Sequence, residues 1–489
     1  MTQHDESKPI YSSIQKNQQY LKESLGVDVS FDLGFREFVI FEKTIQLYYV
    51  TGLVDTSYII EIIKKLVSIN DEEDHETSVY DVLNNRIVHQ QVETTKTLDE
   101  AVDQMLSGLL VIFVDGNEKA FIVDVRQYPG RSPKEPDTEK VIRGSRDGYT
   151  ENIIENTALT RRRIRDERLR HEIIQVGERS KTDICISYLK DVADKDLIKL
   201  IKNELKQMEV DGISMADKTV EEYLVHQGIN PYPLVRYTER PDVASIHLLE
   251  GHVVVMVDTS PSMMIMPTTY FHHVQHAEEY RESPAVGTFV RWIRFFGIFA
   301  SLFLLPLWFL MVMDPRLLPD NLQFIGPNET GNVPIIVQIL LADIGIEFLR
   351  MAAIHTPTPL STAMGLIAAV LIGQIAIDVG LFSAEVILYV AISAIGTFAT
   401  PSYELSVANK IVRMLLMVST FLFHVPGLVI GVTVFLLLLI STRSLRTPYL
   451  WPFIPYNGKA LTQILFRLAV PLSKKRPSIV HPKNPHRQA

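Results

Sequence analysis

Apolar residues follow two regimes along this chain. Up to about residue 290 they recur in short periodic patterns among many charges; between 295 and 442 they fuse into uncharged runs. In the first regime 35–41 and 44–49 read as strands, and 57–66 has helical spacing, with Ile59, Ile60, Ile62, Ile63 and Leu66 apolar. Residues 86–94 alternate like a strand and 98–106 read as a short helix. The segments 109–114 and 120–126 flank Asp115-Gly116, a hairpin turn. Prolines 129, 133 and 136 mark 129–137 as a linker. Beyond it, 150–176 reads as one long helix, 183–188 as a strand, 194–208 as a helix ended by Gly212, and 253–257 as a buried strand. Residues 1–30 are polar and expected to be poorly ordered or loosely helical, and no repeat of 20–50 residues is evident.

In the second regime 295–313 carries no charge over 19 positions and reads as a membrane-spanning helix. Further runs cover 360–377, 386–403 and 414–442. The last has 29 uncharged positions, ~43 Å of helix against a hydrocarbon core of ~30 Å. Pro426 and Gly427 at its middle predict a kink, a tilt or a hairpin of two halves. The segment 333–353 differs, because Asp343, Glu347 and Arg350 fall on one helical face. A charge at the bilayer centre costs at least ~2.5–3.5 kcal/mol, so that face turns away from lipid. It reads either as a charged ring in an oligomeric pore, where acidic groups favour cations, or as a Glu347–Arg350 pair packed between helices. Gly373, Gly380, Gly396, Pro401 and Pro426 are candidate helix breaks, which a transporter with a midplane site would need.

Charge sets orientation. Arg281, Arg291 and Arg294 precede the first run; Arg443, Arg446, Lys459, Arg467 and the basic 474–476 follow the last. Both ends are then cytoplasmic and the number of crossings is even. Four crossings fit if 333–353 does not cross; six fit if it does and 414–442 is a hairpin. Lys410 and Arg413 add positive charge just before that run.

Composition removes other classes. A net charge of −9 argues against a nucleic-acid partner. One cysteine, Cys185, excludes an intrachain disulfide. The polar N-terminus does not read as a signal peptide. No phosphate loop or catalytic constellation stands out, so no enzyme, cofactor or metal is expected. Asp258-Thr259-Ser260-Pro261-Ser262 fits the Asp-x-Ser-x-Ser pattern of divalent-ion sites, and equally a self-bonded turn. His272 and His276 have a zinc spacing; the alternative, with His273, is a solvated interfacial patch. The basic stretch 161–170 reads as a solvated helix with internal ion pairs.

Several stretches together resemble the A-subunit (GerA) family of spore germinant receptors, and within it the stage V sporulation type. They are YPGR (128–131), EKVIRGSRDGYTENIIENTALTRRRIR (139–165), KTDICISYLKDVAD (181–194), VVVMVDTSPSMMIMPTTYF (253–271), PAVGTFVRWIRFFG (284–297), IGQIAIDVGLFSAEVI (372–387) and ATPSYEL (399–405). Ser145, Tyr149 and the stretch 351–359 depart from the usual pattern. The resemblance implies a multi-pass protein of the inner spore membrane, both termini on the core side. It implies a homo-oligomeric ion channel in the bilayer, working with a transporter-like B subunit and a lipoprotein C subunit or a substitute partner. A non-conducting membrane scaffold is the alternative.

The expected architecture is an α/β two-subdomain soluble module followed by an α-helical polytopic membrane domain. Its divisions are a polar segment 1–34, subdomains 35–128 and 129–290, a transmembrane domain 291–446 and a basic cytoplasmic tail 447–489.

Overall fold

A computed structural model describes residues 7–68, 92–128, 139–318, 320–327, 332–355 and 374–487. Positions 86–91, the linker 129–137, Gly373 and most of the run 360–377 lie outside them.

The soluble half consists of two five-stranded antiparallel sheets with one topology. In the first unit α1 (Ile14–Ser24) precedes β1 (Leu33–Ile40), β2 (Lys43–Val50), α2 (Thr56–Val67), β3 (Val92–Thr95), α3 (Leu98–Leu106), β4 (Leu110–Val114) and β5 (Ala120–Val123), in the order β1-β2-β4-β5-β3. In the second, α4 (Ile153–Arg163) precedes β6 (Leu169–Val176), β7 (Thr182–Leu189), α5 (Lys195–Lys206), α6 (Ala216–Val225), β8 (Arg236–Thr238), α7 (Pro241–Glu250), β9 (Val253–Val257) and β10 (Met263–Met266), in the order β6-β7-β9-β10-β8.

The repetition extends to single hydrogen bonds. Asp115, in the β4–β5 turn, accepts from Ile14 N at 3.2 Å; Asp258, in the β9–β10 turn, accepts from Ile153 N at 3.2 Å. Each carboxylate thereby satisfies a donor that a helix start leaves open. Asn17 bonds both backbone groups of Tyr11, and Asn156 does the same with Thr150. Gly116 at φ 85° and Thr259 at φ 72° occupy matching turn positions. The Asp258 motif is therefore used as a helix-capping turn.

Several expectations need correction. The polar start contains α1, which buries Ile14 and Leu21 in the first core and so belongs to that unit. The long helix 150–176 is instead α4 plus β6. Arg161 accounts for the break, since it is fully buried against Asp32 at 2.9 Å and also donates to Asp166 O and Leu169 O. The chain after it pairs with β7 through eight register positions. The basic stretch is solvated only in part: Arg162, Arg163, Arg165 and Arg168 are exposed and Arg168 pairs internally with Asp166 at 2.7 Å, whereas Arg161 and Arg170 are buried, Arg170 donating to three backbone carbonyls. Asp32–Arg161 also joins the two units, because Asp32 leads into β1.

Histidines form part of the second core. His272 Nδ1 accepts from Thr269 N at the start of a short helix, Tyr270–Val274, which ends before His276. The 272/276 helical spacing therefore does not arise; His273 is buried, and His272 and His276 are half-buried between the second unit and the helices. Burial holds His171 and His252 down at about 4 and His273 at about 3, against an ordinary value of 6.5. These groups are neutral when folded, so below pH 6.5 the unfolded chain binds more protons. Their stabilisation is complete above that value and is lost as pH falls toward 4. Acidification from about pH 7.5 to about pH 5 should lower stability by on the order of 1–2 kcal/mol per buried histidine. Thermal unfolding of the detergent-solubilised protein at the two pH values checks this, and equal midpoints would show the rings to be hydrated.

The second unit, not the first, sits on the helical half. Tyr232 is fully buried between them, its hydroxyl on Asn409 Oδ1 at 3.1 Å and its ring 6.1 Å from Phe435. The helices are α8 (Pro284–Met313), α9 (Ile335–His355), α10 (Ala384–Phe398) and α11 (Tyr403–Ser441). Helix α8 starts at Pro284 rather than at 291, so Arg291 and Arg294 lie within it, both against Glu279. Among the described residues, α8 and α11 are long and apolar enough to cross a membrane.

Helix α11 is a hairpin. Its backbone leaves helical geometry at His424, just before Pro426. The Ser419 hydroxyl donates to Gly427 O at 2.7 Å, and the Gly431 backbone lies against the Leu416 side chain. A continuous helix would hold Ser419 and Gly427 ~12 Å apart. The arms, 403–423 and 425–441, span about 30 and 25 Å at ~1.5 Å per residue.

The C-terminal segment packs on the second unit: Val480 lies against Gly251, Arg487 pairs with Glu250 at 3.4 Å, and Lys483 N donates to Val192 O.

Candidate functional site

Five ionised side chains meet inside the helical bundle. Helix α9 brings Asp343, Glu347 and Arg350 to one face, as their spacing requires. The first arm of α11 brings Lys410 and Arg413. Arg413 Nη2 donates to both Asp343 oxygens, at 2.6 and 2.7 Å. Lys410 Nζ reaches Asp343 O at 2.8 Å, Glu347 Oε2 at 2.9 Å and Asp343 Oδ1 at 3.4 Å. Arg350 Nε donates to Glu347 Oε1 at 2.9 Å, and its guanidinium lies 4.6 Å from the Tyr403 ring centre. Asp343, Lys410 and Arg413 are buried.

A helix defect supplies another partner. Residues Ala300–Leu304 of α8 form a π turn, which pairs each carbonyl with the amide five residues on. For Ser301 that residue is Pro306, which has no N–H. Its carbonyl is thus open, and it accepts from Arg413 Nη1 at 2.6 Å and from the Ser393 hydroxyl of α10 at 3.2 Å. One guanidinium therefore ties α8, α9 and α11 together, with α10 joined through Ser393.

The Glu347–Arg350 pair between helices is present, embedded in a larger network. Lys410 and Arg413 sit within α11, buried, and do not act as flanking loop charges. The acidic groups are matched by cations of their own chain, so they do not form an open ring in this conformation.

The helix-break candidates separate. Gly396 does not interrupt α10. It faces Gly297 of α8 so closely that an added Cβ would overlap the Gly297 carbonyl oxygen. Pro401 lies between α10 and α11, and Pro426 follows the turn of the hairpin. Gly380, at φ 71°, follows the helical residues 374–378.

The geometry defines first a class, a doubled α/β module seated on an apolar helical bundle with ion pairs at its centre. The family model for the Bacillus/Clostridium GerA spore germination protein matches residues 19–479, and the chain belongs to this family. It is 62% identical to stage V sporulation protein AF of Bacillus subtilis (strain 168), over all of this chain and 99% of that one. Spore germination protein A1 of the same organism is 30% identical over 89% of this chain and 90% of its own length. Spore germination protein KA is 28% identical over 99% and 90%. The crystal structure of the N-terminal domain of the A subunit of the Bacillus megaterium spore germinant receptor GerK3 matches at 25% identity and a TM-score of 0.43, covering 54% of this chain and 98% of that one.

Proposed function

We propose that this chain is a membrane subunit of a spore germination complex that assembles as a homo-oligomer around an ion path in the inner spore membrane. The observation that carries the reading is the five-charge cluster within an otherwise apolar bundle. Charge at that depth is costly unless it is paired or hydrated. Here Arg413 and Lys410 hold the acidic face of α9 shut. Opening is a shift of α9 against α11 that exchanges those cations for water and exposes Asp343 and Glu347 to the path. The relatives named as spore germination proteins support the setting. In this reading a transporter-like B subunit and a lipoprotein C subunit, or a substitute partner, bias the shift through the soluble units.

The reading includes six membrane passes with both termini on the core side. Helix α8 leaves the second unit; α9 and α10 each run back toward it, since Gln338 and Ser383 meet at the far end and Arg350 and Tyr403 at the near end. The α11 hairpin adds two passes. The apolar run 360–377, read from the sequence as a span and lying mostly outside the described residues, makes the even total six in this reading.

The test is single-channel recording of the purified protein in planar bilayers. Asp343→Asn with Glu347→Gln should reduce cation selectivity and alter conductance. Unchanged currents from well-folded variant protein would remove the pore assignment. The scaffold reading is favoured by one observation, the matching of Asp343 by two cations of its own chain, and it requires that the purified oligomer carry no current.

A further inference from the structure

Seven cationic side chains in the described residues are buried, and six of them have a carboxylate partner or several carbonyl acceptors. Arg161, Arg240, Arg291, Lys410 and Arg413 pair with carboxylates, and Arg170 donates to three carbonyls. Arg236, on β8, is the exception. It is 8% exposed, and its one side-chain hydrogen bond is a long contact, Nη2 to Gln275 O at 3.4 Å. No carboxylate among the described residues lies within ion-pair distance of it. Glu139, the nearest acid in charge terms, is committed to the Thr238 hydroxyl and Glu239 N. A buried guanidinium without a counter-ion is costly, and its planar fork fits an oxyanion in two bonds.

Arg236 lines a cavity of 460 Å³ between the second unit and the helical bundle. That volume is in the range of small-molecule sites, ~300–1,000 Å³. His272 and His276 share the lining. Each uses Nδ1 to accept a backbone amide, from Thr269 and Glu278, so a neutral ring carries its proton on Nε2. The opposite wall is the connection from α10 into α11, including Thr400, Ser402 and Glu404, together with Arg350 of the charge cluster; Glu139 and Glu239 also line the cavity, and Glu404 is paired with Lys218 at 3.2 Å.

We propose that this cavity binds a small ligand bearing a carboxylate or phosphate. Arg236 is the bidentate anchor, and the Nε2–H groups of His272 and His276 are further donors. The ligand bridges the second unit to the segment that leads into Lys410 and Arg413. The proposal does not depend on whether the bundle conducts ions.

The test is thermal unfolding and calorimetry of the full-length protein in detergent near neutral pH. It is titrated with sodium phosphate or sodium succinate against sodium chloride of equal ionic strength. One oxyanion should raise Tm saturably, and which one does so identifies the headgroup. Arg236→Gln should be at least as stable as the unliganded wild type and should lose the shift, because it removes an uncompensated cation. His276→Gln, which leaves the anchor in place, should weaken the shift. If neither oxyanion raises Tm above the chloride control or gives calorimetric heat, the site is not an oxyanion site. An equal rise in Arg236→Gln overturns the assignment as well.

Discussion

Arg413→Leu is expected to destabilise the helical bundle by about 3–5 kcal/mol, the cost of removing one partner from a buried ion pair. The substitution takes both fork contacts from Asp343 and leaves the Ser301 carbonyl, already deprived of a helical donor, with the Ser393 hydroxyl alone. Lys410 remains near Asp343, at 3.4 Å, and limits the loss. Arg413→Lys should recover only part of it, because an ammonium cannot serve two carboxylate oxygens and a third acceptor in the same plane. Asp343→Leu combined with Arg413→Leu should cost less than the sum of the single changes, since no orphaned charge remains. Denaturant titration in detergent, followed by tryptophan fluorescence, reads all of these. A wild-type midpoint for Arg413→Leu would mean that water reaches the cluster and that the bundle is not sealed there.

Gly396→Leu should be as damaging, through shape instead of charge. The α8–α10 crossing is close enough that even an alanine methyl at 396 would overlap the Gly297 carbonyl oxygen and press on Ser301 Cβ at 3.2 Å. Overpacking of this kind costs ~1–3 kcal/mol, and more where backbone has to move. Separation of the helices would also pull Ser393 and Arg413 from the Ser301 carbonyl, one turn away. The reverse position behaves differently. A Cβ on Gly297 would meet Gly396 Cα at 3.5 Å and Ala399 Cβ at 3.7 Å, both ordinary contacts. Gly297→Ala should therefore be neutral or gain up to ~1 kcal/mol of helix propensity. The pair of alanine substitutions, compared by unfolding midpoint, separates this account from one in which glycine serves as a hinge. A hinge would make both substitutions costly or both tolerated.

The site was half readable. Asp343, Glu347 and Arg350 stand out because a helix places them on one face of an oily segment, a purely local fact. Their partners Lys410 and Arg413 lie more than 60 residues on and look like flanking charges. One signal pointed to them: they sit three apart on a helical face, the spacing needed to answer two acids four apart. The open Ser301 carbonyl had a local sign as well, in Pro306, but the π turn that makes it matter depends on packing. Arg236 carried no sign, because its isolation is a property of what fails to approach it.

The sequence shows two α/β subdomains but not that they repeat one another, for a related reason. The equivalences rest on a few residues, Ile14 with Ile153, Asn17 with Asn156 and Asp115 with Asp258, spread over far more than 20–50 positions. Antiparallel sheets accept many sequences provided that alternate positions are apolar, so topology persists while identity is lost.

Strand, helix and oily-run periodicities, charge placement and family resemblance follow from the order of residues alone, since each depends on neighbours a few positions away. Whether 150–176 is helix or helix plus strand, whether α11 spans or doubles back, and which cation answers which acid were settled by contacts between distant segments. Burial turns weak local preferences into firm choices there, because an unpaired charge or amide in an apolar interior costs more than any propensity supplies.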